Sequence, residues 1–371
     1  MTDTTLGGIG SFLELLVPTQ LEAGDEVILA MPATDPVHRL VAAGAGLHRW
    51  SATAQPGAGV PGEALALARI LHAARPDVVH LHNDKAGLVG RLVIRGGRAT
   101  VFQPHAWSFL AKEGALRRAA LTWERAAARW AHVVLCVAEE ERQLGERSGV
   151  AARYMVALNG VDLERFPARD GDERAAARAR LGLAPRRPLA VCLGRLHRQK
   201  GQHLLLDAWP AVRDHVPDAD LALVGDGPDR GALERRAVPG VRFVGQTGDV
   251  GSWLAAADVV AAPSRWEGLS LSVLEALASA RSVVATGVPG MREVVAGAGA
   301  IVPAGDVESL AREVVARLLA PDLADAEGRT GRKRVEDRHD RRRQAPAIAE
   351  AYDVAQALVA RQRGDDRRAA A

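Results

Sequence analysis

From end to end the chain alternates short runs rich in Val, Leu and Ile with longer stretches of helical periodicity, and this alternation narrows the choice of fold more than any other feature. In the first half DEVILAMP, DVVHLH, ATVFQPH and HVVLCVA read as strands, and in the second half PLAVCLGR, ADLALVGDG, VRFVGQ, ADVVAAPS and RSVVATG do. A strand that is apolar at successive positions is buried on both faces, which calls for a parallel sheet covered by helices on both sides. Stretches such as PGEALALARILHAARP and EGALRRAALTWERAAARWA supply those helices. The expected class is therefore α/β, with two doubly wound, Rossmann-like domains, for which 371 residues are enough.

The boundary falls at MVALNGVDLERFPARDGDE, where an apolar run meets Asn-Gly and then Phe-Pro, both turn signals, ahead of a charged helix. The expected division is 1–157 for the first domain, 158–340 for the second, a terminal helix over 341–363 that packs back toward the first domain, and a disordered polar tail over 364–371. No apolar run approaches the roughly 18 residues of a membrane span, and the N-terminus lacks the layout of a signal peptide, so a cytoplasmic protein is expected. Cys136 and Cys192 lie inside apolar strands and read as reduced, buried thiols. Only four of the 48 basic residues are lysines, a bias toward Arg that admits an anionic partner without pointing to nucleic acid.

In open parallel sheets ligands bind beyond the carboxyl ends of strands, so the residues just after each strand carry the chemistry. GRLHRQKG follows PLAVCL: Gly194 lets the backbone approach a ligand, Arg195 offers a planar donor fork and Lys200 a point charge, a set suited to a diphosphate. PSRWEGLSLSVLEALA follows another strand and places Glu267 in a turn and Glu275 in the next helix. The amides of Gly268, Leu269 and Ser270 are expected to open that helix, where an anion is favoured, and the two carboxylates can accept hydrogen bonds from sugar or ribose hydroxyls. TGVPGMREVV adds a Gly-Pro-Gly loop with Glu293 behind it. The bland alternatives are a solvated basic loop and a solvated acidic helix face.

These segments, in this order and spacing, resemble the retaining nucleotide-sugar glycosyltransferases of family four, which have the GT-B fold. The first half joins in through PDVVHLHNDKAGLVGRL, PHAWSFL and NGVDLERF, so the resemblance covers about residues 7 to 320. It implies two Rossmann-like domains facing across a cleft, and transfer of a sugar from a nucleotide-diphosphate donor, with retention, to a glycan or lipid-linked cell-envelope acceptor. It assigns Arg195 and Lys200 to the donor diphosphate and Glu275 to the ribose. Glu267, with Gly268 and Leu269, would hold the donor sugar, His105 would meet that sugar, and Gly7 and Gly8 would form the loop near phosphate and acceptor. It implies no metal cofactor, because the basic pair and helix terminus do that work. Ala280 and Ser282 stand where the family usually has Gly and Pro, and Pro18 is expected to kink or shorten the first helix.

Other readings stay open beside this one. His80, His82 and His105 suggest a metal site, though a packed histidine is commoner. GDGPDRG has its third glycine one place late for a dinucleotide fingerprint, which disfavours a dehydrogenase. An isomerase or phosphorylase on the same scaffold, or a non-catalytic or truncated sugar-nucleotide binder, would share the fold. ALRRAALTWERAAARWA places Leu116, Ala120, Trp123, Ala127 and Trp130 on one helical face among Arg117, Arg118, Arg125 and Arg129, suited either to an anionic membrane surface at the inner face of the cell membrane or to the domain core. Finally, MTDTTL is too short and polar to supply the central first strand that should precede Gly7 and Gly8. The expectation is a chain that starts late and lacks about 8–12 residues of strand and lead-in, or else a sheet with a gap.

Overall fold

A computed structural model of the chain describes residues 1–2, 7–52, 57–168 and 171–369. It divides into two compact units, Met1–Asn159 with Arg342–Ala371, and Gly160–Arg341. Asp3–Leu6, on which part of the expected gap falls, lie outside the described residues.

The first unit contains strands β1 (Ile28–Met31), β2 (Gly46–Arg49), β3 (Val78–His82), β4 (Ala99–Gln103), β5 (Val133–Cys136) and β6 (Tyr154–Val156). They form two parallel sheets, β1-β2 and β3-β4-β5-β6. Met1 and Thr2 run between the two. The Thr2 amide donates to the Ala30 carbonyl at 3.2 Å, the His82 amide donates to the Met1 carbonyl at 2.9 Å, and the Met1 amine donates to the His80 carbonyl at 2.7 Å. In doubly wound order that is the place of a central first strand.

Gly7, with φ of 72°, leads into the helix Gly8–Glu22, which buries Phe12, Leu13, Leu16 and Val17. The helix continues through Pro18, contrary to the expectation of an early end. Proline removes one intrahelical hydrogen bond, and the buried face outweighs that loss. The helix Gln344–Ala369 lies against β3, β4 and β5, with Ile348, Ala351, Ala355 and Val359 buried at helical spacing. Its backbone stays helical through Ala369, past the expected start of the tail, because extending an existing helix costs far less than nucleating one.

Helix Gly114–Ala127 corrects the expected single face. It ends at Ala127, and a 3-10 turn carries Ala128–Trp130, because the chain must turn into β5. Leu116 is 70% exposed, whereas Ala127 is fully buried and Trp123 packs beside Trp130 at 6.0 Å between centroids. Beneath it the buried Arg91 bonds Glu124 at 2.8 Å and lies 3.9 Å over the Phe102 ring.

The second unit is a six-stranded parallel sheet of β7 (Leu189–Leu193), β8 (Asp220–Val224), β9 (Val241–Gly245), β10 (Val259–Ala262), β11 (Ser282–Thr286) and β12 (Gly299–Val302). Its order is β12-β11-β10-β7-β8-β9, the 3-2-1-4-5-6 arrangement of a Rossmann fold read from the far edge. The winding reverses between β7 and β10, and in open α/β sheets the place beyond the carboxyl ends of strands at such a switch point is where ligands bind. Helices Gln202–His215 and Val307–Leu319 bury Trp209, Val212, Leu310 and Val314 against the sheet. Neither unit contains a helix that is long and apolar enough to cross a membrane among the described residues.

Candidate active site

The loop after β7 and the loop after β10 meet at the switch point of the second unit. Lys200 reaches Glu267 with Nζ to Oε1 of 2.5 Å, and Ser270 Oγ lies 3.5 Å from the same ammonium. Ser264 donates its hydroxyl to Glu267 Oε1 at 2.9 Å, and the Thr286 hydroxyl donates to the Ser264 carbonyl. The backbone is tied as well: the Arg265 amide donates to the Gln199 carbonyl at 2.7 Å, and Gln199 Nε2 donates to the Trp266 carbonyl at 3.1 Å. Glu267 is buried and Lys200 partly so, at 7% and 21% side-chain exposure, so the charge pair sits where water screens it poorly.

Gly194 passes beside the Lys200 stem, 3.6 Å from where a β-carbon would lie. Arg195 is exposed on the same loop, and among the described residues its guanidinium has no carboxylate partner. Helix Leu271–Ala278 starts three residues later than expected: Ser270 is its N-cap, so the Gly268 and Leu269 amides belong to the preceding loop. The extended conformation of Ser270, with ψ of 121°, stops the helix there. Gly290 packs on that loop. Its φ is 80°, and a β-carbon would stand 1.9 Å from the Gly268 carbonyl oxygen, so the Gly-Pro-Gly segment fits only because position 290 has no side chain.

Glu275 follows about a turn into the helix. Burial pushes its carboxyl up to about 7, opposed by the positive charges of Arg165 and Lys200. The carboxylate therefore lies near two cations without being neutralised by a short ion pair. The sequence reading missed Ser264, Gln199 and Arg165. Only Ser264 carried a signal, its place directly after a strand.

In the first unit the histidines converge. His82 Nδ1 lies 3.0 Å from His105 Nε2, and His80 Nδ1 lies 2.8 Å from the Tyr352 hydroxyl, which also accepts from Gln20 Nε2 at 3.1 Å. Phe12, from the helix that follows Gly7 and Gly8, meets the rings of His82 and His105 edge-on at 5.4 and 4.9 Å. Burial pushes the His105 imidazole down to about 3 and holds His80 and His82 well below the usual range, so all three are neutral near pH 7. Among the described residues no group of three or more His, Cys, Asp or Glu side chains is disposed to hold a metal ion. The imidazoles bond to each other and to Tyr352 instead. Gly7 and Gly8 have open space where β-carbons would lie.

The chain is similar to known proteins in sequence and in fold. The family profile described as Glycosyltransferase Family 4 matches residues 6–165, and that described as Glycosyl transferases group 1 matches residues 187–320. The lipopolysaccharide core biosynthesis mannosyltransferase LpsB of Rhizobium meliloti is 33% identical over 225 residues, 56% of this chain and 64% of that protein. A GDP-mannose-dependent alpha-(1-6)-phosphatidylinositol dimannoside mannosyltransferase of Mycobacterium tuberculosis is 30% identical over 307 residues, 78% of each chain. Sucrose-phosphate synthase from Thermosynechococcus elongatus has the same fold, with a TM-score of 0.80 over 95% of this chain and 94% of that one at 24% identity. The chain spans between about half and two thirds of the length of several curated relatives it matches. Two profiles covering the two Rossmann-like units, and an identity that extends over 78% of a whole relative, carry one conclusion: this chain belongs to glycosyltransferase family four.

Proposed function

We propose that the protein transfers a sugar from a nucleotide-diphosphate donor to a cell-envelope glycolipid or polysaccharide precursor, with retention of configuration. The observation that carries this reading is Lys200 held at the β7/β10 switch point between Glu267 and Ser270, with the unpartnered Arg195 on the same loop. Two cations at the carboxyl end of a Rossmann sheet suit a diphosphate whose charge grows as it leaves, and stabilisation of developing charge is commonly the largest catalytic term. Because the cations are supplied by side chains, the reading needs no metal.

In this reading Glu275 accepts from the ribose hydroxyls, while Glu267 with the Gly268 and Leu269 amides positions the donor sugar. His105 meets that sugar, and the open backbone at Gly7 and Gly8 admits phosphate and acceptor. The bond from the anomeric carbon to the diphosphate breaks, the acceptor oxygen bonds to the same face, and the acceptor proton passes to the departing phosphate oxygen. No protein carboxylate serves as nucleophile.

Both relatives described above are named as mannosyltransferases, one of them GDP-mannose-dependent, which makes GDP-mannose the first donor to test. A place at the inner face of the cell membrane is supported by the exposed Leu116 flanked by the exposed Arg117 and Arg118. The tryptophans of that segment are half-buried, packed on each other and under the guanidinium groups of Arg91, Arg95 and Arg129. Thermal stabilisation by a panel of nucleotide sugars, followed by NMR of the product's anomeric configuration, tests the reading. No stabilisation by any donor, or an inverted product, refutes it.

A further inference from the structure

Two imidazoles, of His80 and His82, and the phenol of Tyr352 are stacked behind one histidine in the first unit, and only that histidine, His105, has an assigned role. The contact that matters is His82 Nδ1 to His105 Nε2, at 3.0 Å with the two rings stacked at an interplanar angle of 29°. A nitrogen-to-nitrogen hydrogen bond contains one proton, so one ring donates and the other accepts. If both rings were imidazolium, two N–H groups would point at each other. If His105 turned its ring, the bond would break inside a site that leaves His82 only 2% exposed.

The surroundings remove the remaining freedom of His82. Its ring is flanked by His80, 4.0 Å away between centroids, and by the edge of Phe12. His80 is in turn fixed by Tyr352 from the C-terminal helix, whose hydroxyl accepts from Gln20 and so has its own proton to donate to His80 Nδ1. His105 itself sits at φ of 56°, a left-handed backbone conformation that side chains rarely adopt and that is kept where the surroundings over-determine it.

We propose that His82 is a positioning residue for glycosyl transfer: its Nδ1 occupies Nε2 of His105, so that His105 is held in one ring orientation and offers the donor sugar Nδ1 alone. This rests on the proposed role of His105. His80 and Tyr352 form the support behind His82, and through them the C-terminal helix Gln344–Ala369 contributes to the site from 272 residues away in sequence.

The test compares two replacements of His82. His82→Phe keeps a ring in the stack and removes Nδ1; His82→Asn loses the ring and keeps a polar atom near that position. For His82→Phe we expect kcat to fall on the order of 10²-fold, the scale of a misplaced reacting group, with the donor KM little changed. His82→Asn should recover most of that loss, and adding His82→Phe to His105→Ala should cost nothing further, because the two act as one unit. Should the Phe variant not fold, His82→Leu carries the same expectation. Equal losses in the Phe and Asn variants, or losses that add in the double variant, would overturn the inference. A readout independent of any donor is the long-range proton–nitrogen NMR spectrum of histidine-labelled protein. His105 should show one neutral tautomer in the native chain and averaged ring nitrogens in His82→Phe; a His105 signal unmoved by that change would also overturn it. Full activity in His105→Ala, by contrast, would remove the role of His105 while the tautomer result stands.

Discussion

Replacing Lys200 by Met should separate what the ammonium does for the reaction from what it does for the fold. Lys200 is the only cation within hydrogen-bonding distance of Glu267 among the described residues, at 2.5 Å, and Glu267 is 7% exposed. In Lys200→Met the Glu267 carboxylate keeps the Ser264 hydroxyl at 2.9 Å and loses its counter-charge. Breaking a fully buried pair costs about 3–5 kcal/mol; with Lys200 at 21% exposure, water can reach the site, and about 2 kcal/mol is the discounted expectation. For a domain of this size that lowers Tm by roughly 4–8 °C. Catalysis should fall more, by about 10²- to 10³-fold in kcat, the scale of removing one donor to developing charge. The double variant Lys200→Met, Glu267→Gln should regain most of the lost Tm, since no unpaired charge is left, and regain none of the activity. Differential scanning fluorimetry and a donor-hydrolysis assay on the three proteins suffice. A double variant as unstable as the single one would refute the electrostatic account of the pair, and a single variant with full kcat would refute the role of Lys200 in transfer.

Glu275 supplies a prediction with a definite sign. Its carboxyl titrates near 7 in the folded protein, above the usual 4.5, so its protonated form is favoured by folding; the associated stability is present below the unfolded value and is lost as pH rises through about 7. Glu275→Gln should therefore raise Tm at pH 8 and leave it nearly unchanged at pH 4, while donor binding by the native chain should strengthen between about pH 6 and 8 as the carboxylate forms; a Tm gain at acid pH only would contradict this. Gly290→Ala should force the Gly268 loop aside, because the new methyl would overlap a carbonyl oxygen at 1.9 Å, and donor KM measured by initial rates should rise well above tenfold, on the order of 2 kcal/mol. Ala280 stands at φ of 54°, and Ala280→Gly should stabilise the chain by about 0.5–1 kcal/mol in urea titrations, the relief of left-handed strain less the entropy glycine adds to the unfolded state.

The alternation of apolar runs and helices made the two Rossmann-like units legible, because central parallel strands are buried on both faces and their residues are apolar in succession. β2, β6 and β12 escaped that reading. GLHR and GAIV are edge strands whose residues are only partly buried, so they carry no continuous apolar signal. The site loops were legible one at a time, since Arg195, Lys200, Glu267 and Glu275 each follow a recognisable strand or loop in GRLHRQKG and PSRWEGLSLSVLEALA. What pairs with what was not. Lys200 and Glu267 are 67 residues apart and meet because β7 and β10 are neighbours in the sheet, an order fixed by tertiary packing and by no local propensity. The same holds more strongly for the histidines: His80 and His82 share a strand face by a period of two, but their bonds to Tyr352 and His105 exist only once a helix from the far end of the chain and the turn after β4 have been packed against β3. Local sequence sets which residues follow a strand and which face they share, whereas the hydrogen bonds that orient them depend on distances that only the packed sheet defines.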